Sequence, residues 1–277
     1  MALLWRTSKK CCPEVILSDA DGVVTNDKAD PSRPVIERMV ELDPRMPTVI
    51  ITGRSDEWLK GMILPIMEPF FQNRPPVLGL SLCEYGGSRV TRTRTNGYEV
   101  TTDPPCLEGM RVEVESFIRE LSNPSIMCDP YKKVVITVVA THAQIPGSVY
   151  PMEMVTDGLG KAGAFMTRLA SASNGVAKFE KSTYACDLVP VGRDKAYAAY
   201  AALCRYKRVF NEMPPKVHIF GDSLSDYGMT QPAVEHGIPY NFYFTGKPEI
   251  VSEIKDRYLI VTNSRYDAGT MEVLRTF

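Results

Sequence analysis

Residues 15–25 read VILSDADGVVT. An apolar, β-branched run ends on two carboxylates and a glycine. Glu14–Ser18 therefore reads as a buried strand. Asp19 and Asp21 fall just beyond its carboxyl end, which is where open parallel sheets bind their ligands. Two further segments share this grammar. Val49-Ile50-Ile51 runs into Thr52-Gly53-Arg54-Ser55, and Val217-His218-Ile219-Phe220 runs into Gly221-Asp222-Ser223-Leu224-Ser225-Asp226.

Working outward, strands expected at 14–18, 48–51 and 77–82 alternate with helices at 34–42 and 56–64. A β-α-β-α-β order favours a parallel sheet with crossover helices. The pattern changes after residue 87. Segments 86–90 and 98–102 flank Thr95-Asn96-Gly97, a hairpin signal. A helix at 107–121, a strand at 133–140, a helix at 162–172 and a strand at 179–189 follow. Asp157-Gly158-Leu159-Gly160-Lys161 lacks Walker spacing and reads as a loop. The parallel order resumes with a helix at 194–209, a strand at 216–220 and a helix at 224–236. Strands at 239–244 and 258–262, with a helix at 248–255 between them, complete it. The expectation is an α/β chain: a Rossmann-like parallel core of residues 1–87 and 188–277, carrying an α+β insert at 88–187.

Bulk composition narrows the function classes. Of 277 residues, 44% are hydrophobic, so a sizeable core is affordable. With 32 basic and 33 acidic residues, the charge balance offers no footing for nucleic acid or an anionic membrane. No apolar run approaches the ~18–20 residues of a membrane span, and the start, MALLWRTSKKCC, carries no signal-peptide core. Seven cysteines without CxxC or zinc-type spacing suit a reducing, cytoplasmic setting; Cys11-Cys12 reads as an ordinary terminal pair.

An aspartate after a strand is commonly a turn former or helix cap, and one such motif alone means little. Three together differ. Parallel strands place their carboxyl ends on one side, so Asp19, Asp21, Asp222 and Asp226 are expected to converge at one rim. Four acids there repel one another unless a hard cation neutralises them, and Mg²⁺ with oxygen ligands suits that task. Taken singly, Lys195 would be a solvated surface lysine, Arg54 a helix-start or surface residue sooner than a substrate clamp, and Ser223 a contact to the metal's waters or a cap for the helix behind it.

At this point the chain resembles the haloacid dehalogenase superfamily of phosphohydrolases. Asp19-Ala20-Asp21-Gly22-Val23-Val24-Thr25, Thr52-Gly53-Arg54 and Gly221-Asp222-Ser223-Leu224-Ser225-Asp226 look like its first, second and fourth motifs, in order. Lys195 resembles the third-motif lysine. The sugar-phosphatase-like, Cof-type branch inserts an α+β cap between the second and third motifs, as at 88–187 here. Glu84-Tyr85-Gly86-Gly87 stands where that branch often has a Glu-Asn-Gly-Ala-like turn. The resemblance implies Asp19 as nucleophile and Asp21 as acid and base. It implies Mg²⁺ held by Asp19, the Asp21 carbonyl and Asp222, with Thr52 on a phosphate oxygen and Lys195 stabilising charge. Asp226, Gly53 and Ser223 would support them. The expected partner is a small phosphate ester, and the expected activity a Mg²⁺-dependent phosphomonoesterase. A sugar phosphomutase is the first alternative; a phosphate-binding protein without turnover is the second.

Overall fold

The computed structural model describes residues 12–26, 30–72, 74–93, 97–104, 106–144, 149–182, 184–252 and 254–277. Cys11, the preceding N-terminal stretch and Thr95-Asn96 of the hairpin turn lie outside these residues. Among the described residues there are twelve strands: β1 Val15–Ser18, β2 Thr48–Ile51, β3 Leu80–Cys83, β4 Ser88–Arg92, β5 Tyr98–Thr102, β6 Ile126–Cys128, β7 Ile136–Ala140, β8 Ala177–Lys181, β9 Ala185–Pro190, β10 Val217–Gly221, β11 Tyr240–Phe244 and β12 Leu259–Val261.

Eight of them form one sheet in the order β12-β11-β10-β1-β2-β3-β4-β5. From β12 to β3 every pairing is parallel. β1 lies at the point where the strand order reverses, with β2 and β3 on one side and β10 to β12 on the other. Val15 and Leu17 pack toward one face with Ala198, Ala202 and Tyr206 of the helix Lys195–Phe210. Ile16 points the other way, against Ile36 and Met39 of the helix Arg33–Leu42 and Leu274 near the C-terminus. Both faces of the sheet are thus covered at its centre, which is why β1, β3 and β10 are buried along their whole length rather than alternating.

The second sheet is antiparallel, ordered β6-β7-β9-β8. Ile136, Val138, Cys186 and Leu188 pack with Val114 of the helix Glu108–Leu121 and with Leu159 and Met166 of the helix Met152–Ala172. Period-2 alternation sends Thr137 of β7 and Asp187 of β9 to the opposite face. Those two are directly paired across the ladder, and the Thr137 hydroxyl donates to Asp187.

Several elements differ from the sequence expectation. The β4–β5 hairpin, expected within the insert, instead continues the large sheet through antiparallel pairing with β3. The single strand expected at 179–189 is a hairpin, β8–β9. The glycine-rich stretch 157–161 is helical rather than a loop. Gly158 lies where any Cβ would meet Asn123 Nδ2 at 2.6 Å, so the helix docks closely there, and Lys161 pairs with Asp157 one turn away at 2.8 Å. The helix expected at 224–236 is broken into the short helices Leu224–Tyr227 and Gln231–Glu235 with a 3₁₀ turn between them. The segment expected to be helical at 248–255 is only a 3₁₀ turn at Pro248–Val251. The helix Tyr266–Leu274 was not anticipated.

Among the described residues no helix is long and apolar enough to cross a membrane. Among the described cysteines, Cys83 and Cys186 are buried.

Candidate active site

The strand ends deliver the expected side chains to the switch point between β1 and β10. The Asp19 backbone N–H donates to Phe220 O at 3.0 Å, which ties the end of β1 to the end of β10. Asp194 caps the helix Lys195–Phe210 by accepting from Tyr197 N at 2.9 Å. Lys195, the first helical residue, is buried beside the sheet. Its ammonium donates to Asp19 and, at 2.6 Å, to Asp226 Oδ1.

Asp226 is itself saturated. Its other oxygen, Oδ2, accepts from Asp222 N at 3.0 Å, Ser223 N at 2.9 Å and Ser223 Oγ at 2.8 Å. Asp19, Asp222 and Asp226 lie close enough for one oxygen of each to meet on a cation. With Asp226 occupied by four donors, Asp19 and Asp222 are the carboxylates left to serve as ligands. Hard oxygen donors in this number suit Mg²⁺, which takes one or two carboxylates and fills its shell with water and substrate oxygen.

Electrostatics point the same way. Burial, reinforced by Asp226, raises the Asp19 carboxyl well above its ordinary value, against the pull of Lys195. Burial and then Asp226 push Asp222 up to about 7. Burial alone would lower Lys195, but Asp19 and Asp226 outweigh it and hold the ammonium protonated. One ammonium among three acids leaves excess negative charge, and a divalent cation would remove it.

Gly22 explains the bend that follows the two acids. Its φ is +67°, and a Cβ there would fall 2.2 Å from Asp222 Oδ2. Only glycine permits both the left-handed turn and the close approach of Asp222.

Thr52 is buried, and its Oγ1 accepts from Arg54 N at 3.0 Å. Gly53 faces Tyr85: a Cβ on Gly53 would stand 3.0 Å from the tyrosine hydroxyl. Asp21 is half-exposed at the rim, where Arg54 grips it with both arms, Nε to Oδ2 at 3.0 Å and Nη2 to Oδ1 at 2.9 Å. Arg54, weighed from sequence as a substrate clamp only behind a helix-start or surface role, is therefore beside the site's Asp21. Its place directly after Thr52-Gly53, on the rim that carries Asp21, was the available signal.

Sequence reasoning noted Glu84 only as part of a turn, without its partners. This fully buried carboxylate accepts from the backbone N–H groups of Lys133, Val134 and Val135 at 2.7 to 3.0 Å. The Lys133 ammonium reaches back to buried Asp56 at 3.0 Å. Together these bonds clasp the chain entering β7 onto the large-sheet side of the molecule. His142 rests edge-on against Tyr184 within the insert.

No protein-family model matches the chain, and no curated protein sequence matches it. Solved structures do. A haloacid dehalogenase-like hydrolase from Bacteroides thetaiotaomicron aligns over 96% of this chain and 100% of its own, with TM-score 0.60 and 15% identity. Trehalose-6-phosphate phosphatase from Aspergillus fumigatus aligns over 96% and 93%, with TM-score 0.55 and 18% identity. The sucrose-phosphatase of Synechocystis, solved with sucrose and phosphate, aligns over 95% and 97%, with TM-score 0.53 and 12% identity.

Proposed function

On the haloacid dehalogenase-like fold that these likenesses establish, we propose that the chain is a Mg²⁺-dependent phosphomonoesterase acting on a small phosphorylated metabolite, a sugar phosphate. The observation that carries this reading is the buried assembly at the switch point: Asp19 bonded to Lys195, Lys195 bonded to Asp226, and Asp222 alongside. Two of the fold neighbours are phosphatases of sugar phosphates by name, which supports the substrate class.

In the proposed reaction, Asp19 attacks phosphorus and the ester P–O bond breaks. Asp21 gives its proton to the departing alkoxide. Water then attacks the aspartyl-phosphate, Asp21 takes the proton, and the bond to Asp19 breaks to free phosphate. Lys195 holds Asp19 in place and offsets charge on the phosphoryl oxygens. Thr52 Oγ1, which accepts from Arg54 N, donates to one of those oxygens. Asp226 and Ser223 position Lys195 and the backbone of Asp222. When bound, Mg²⁺ would be held by Asp19, Asp222 and the Asp21 carbonyl and would neutralise the clash between nucleophile and phosphate.

Asp21 favours a phosphomonoesterase or a phosphomutase, because it can protonate a poor leaving group such as a sugar alkoxide. Turnover in ¹⁸O-labelled water separates the two. Hydrolysis puts solvent oxygen into the released phosphate, and a mutase returns an unlabelled phosphoryl group to the sugar.

A further inference from the structure

Tyr85 occupies a backbone conformation that side chains rarely accept. Its φ is +56°, and Glu84 before it and Gly86 after it also have positive φ, +48° and +86°. Asparagine or glycine enters this region readily; tyrosine does so seldom. The surroundings hold it there. Tyr85 N donates to Thr52 O at 3.2 Å and Glu84 N donates to Arg54 O at 3.0 Å. The Glu84 carboxylate is fixed by three backbone N–H groups of the chain entering β7. Gly87 packs so tightly on Val134 that a Cβ would stand 2.7 Å away. A sparsely populated conformation secured from both sides is a mark of function rather than of packing convenience.

The ring packs on the loop that follows β2. Its hydroxyl end rests against Gly53, next to Thr52. The neighbouring Glu84 holds the backbone of Lys133, Val134 and Val135, which leads directly into β7 and Thr137. The turn of Tyr85 therefore joins the Thr52 end of the site to the antiparallel sheet, whose polar face bears Asp187, Thr137 and Glu180. That face is carboxylate-rich but internally paired, with Lys132 on Asp187 at 3.4 Å and Lys178 on Glu180 at 2.8 Å. Such a face suits an uncharged, hydroxyl-bearing group better than a second anion.

We propose that Tyr85 is a specificity-determining residue that contacts the leaving group of the substrate, and that Glu84 is the positioning residue that holds it over Gly53. This deepens the phosphomonoesterase reading and rests on it. The leaving group it selects is neutral and rich in hydroxyls.

The test compares wild type, Tyr85→Asn and Tyr85→Phe. Asparagine accepts positive φ, so the turn is retained while the ring is removed. Two probes are used: acetyl phosphate, whose leaving group is small, and whichever of a panel of hexose 6-phosphates, a pentose 5-phosphate and a disaccharide phosphate the wild type turns over best. Tyr85→Asn should lose at least ten times more kcat/KM for the sugar phosphate than for acetyl phosphate, chiefly through KM. Tyr85→Phe, which keeps the ring on Gly53, should show a smaller loss in the same direction. Equal losses on both probes, or no loss on either, would overturn the assignment of Tyr85. Absence of phosphate release by the wild type on every probe would overturn the phosphomonoesterase reading, and this inference with it.

Discussion

Lys195 is fixed by Asp226: the ammonium donates to Asp226 Oδ1 at 2.6 Å, and both side chains are buried. The same ammonium serves Asp19. Removing one partner of a buried, hydrogen-bonded charge cluster leaves the others uncompensated, which costs on the order of 3–5 kcal/mol. Lys195→Met should lower the metal-free unfolding free energy by about 3 kcal/mol in urea titration and abolish measurable phosphate release. A loss below about 0.5 kcal/mol, the usual scale of a surface substitution, would mean that the lysine is not the counter-ion described here.

The double-armed hold of Arg54 on Asp21 gives a second expectation. Arg54 takes both carboxylate oxygens, so Asp21 can reach a leaving oxygen only after one of those bonds is released. Arg54→Ala should leave Asp21 unaligned and reduce kcat by roughly 10²-fold, the order of a lost general acid–base contribution. Arg54→Lys should recover little, since an ammonium cannot reproduce the two-pronged contact. Full activity in Arg54→Lys would show that charge alone is needed.

Metal and proton should compete at Asp222. Its carboxyl is raised in the folded chain to about 7, so between the ordinary carboxylate range and that value the folded state binds more protons than the unfolded one. Stability of the metal-free protein should therefore fall as pH rises through this interval. Mg²⁺ binding requires the ionised carboxylate, so added Mg²⁺ should raise the melting temperature more at pH 8 than at pH 5. Thermal scans with and without chelator measure this directly. A stabilisation by Mg²⁺ that is larger at pH 5 would contradict the proposed ligands.

Glu84 makes the clasp testable on its own. Glu84→Ala removes the carboxylate that accepts from the backbone N–H groups of Lys133, Val134 and Val135. Leaving part of that set unsatisfied costs about 1–3 kcal/mol. Amide hydrogen exchange should quicken at 133–135 while the central strands β1 and β10 stay protected. Unchanged exchange at those three amides would argue against the clasp.

Much of this site was legible because the local grammar of strand, acid, glycine and helix is set by short-range chemistry. Asp19, Asp21, Thr52, Asp222 and Asp226 each end a readable apolar run, and a parallel sheet brings such ends together. What could not be read was set by distant partners. Thr95-Asn96-Gly97 announces a hairpin, but nothing local says that β4 pairs with β3 rather than with the insert. The two glycines within 157–161 look like a break until Asn123 and Ile126 are seen against Gly158. Arg54 and Glu84 find their partners 33 and 49–51 residues away, beyond any pattern of spacing.

The central claim is that Asp19 is the nucleophile of a phosphomonoesterase. Phosphate release from a panel of phosphorylated sugars, with Mg²⁺ present, tests it most directly when wild type and Asp19→Asn are purified and assayed in parallel. The account predicts release by the wild type and none above background by Asp19→Asn, with both proteins folded by circular dichroism. Equal release by the two proteins would contradict it.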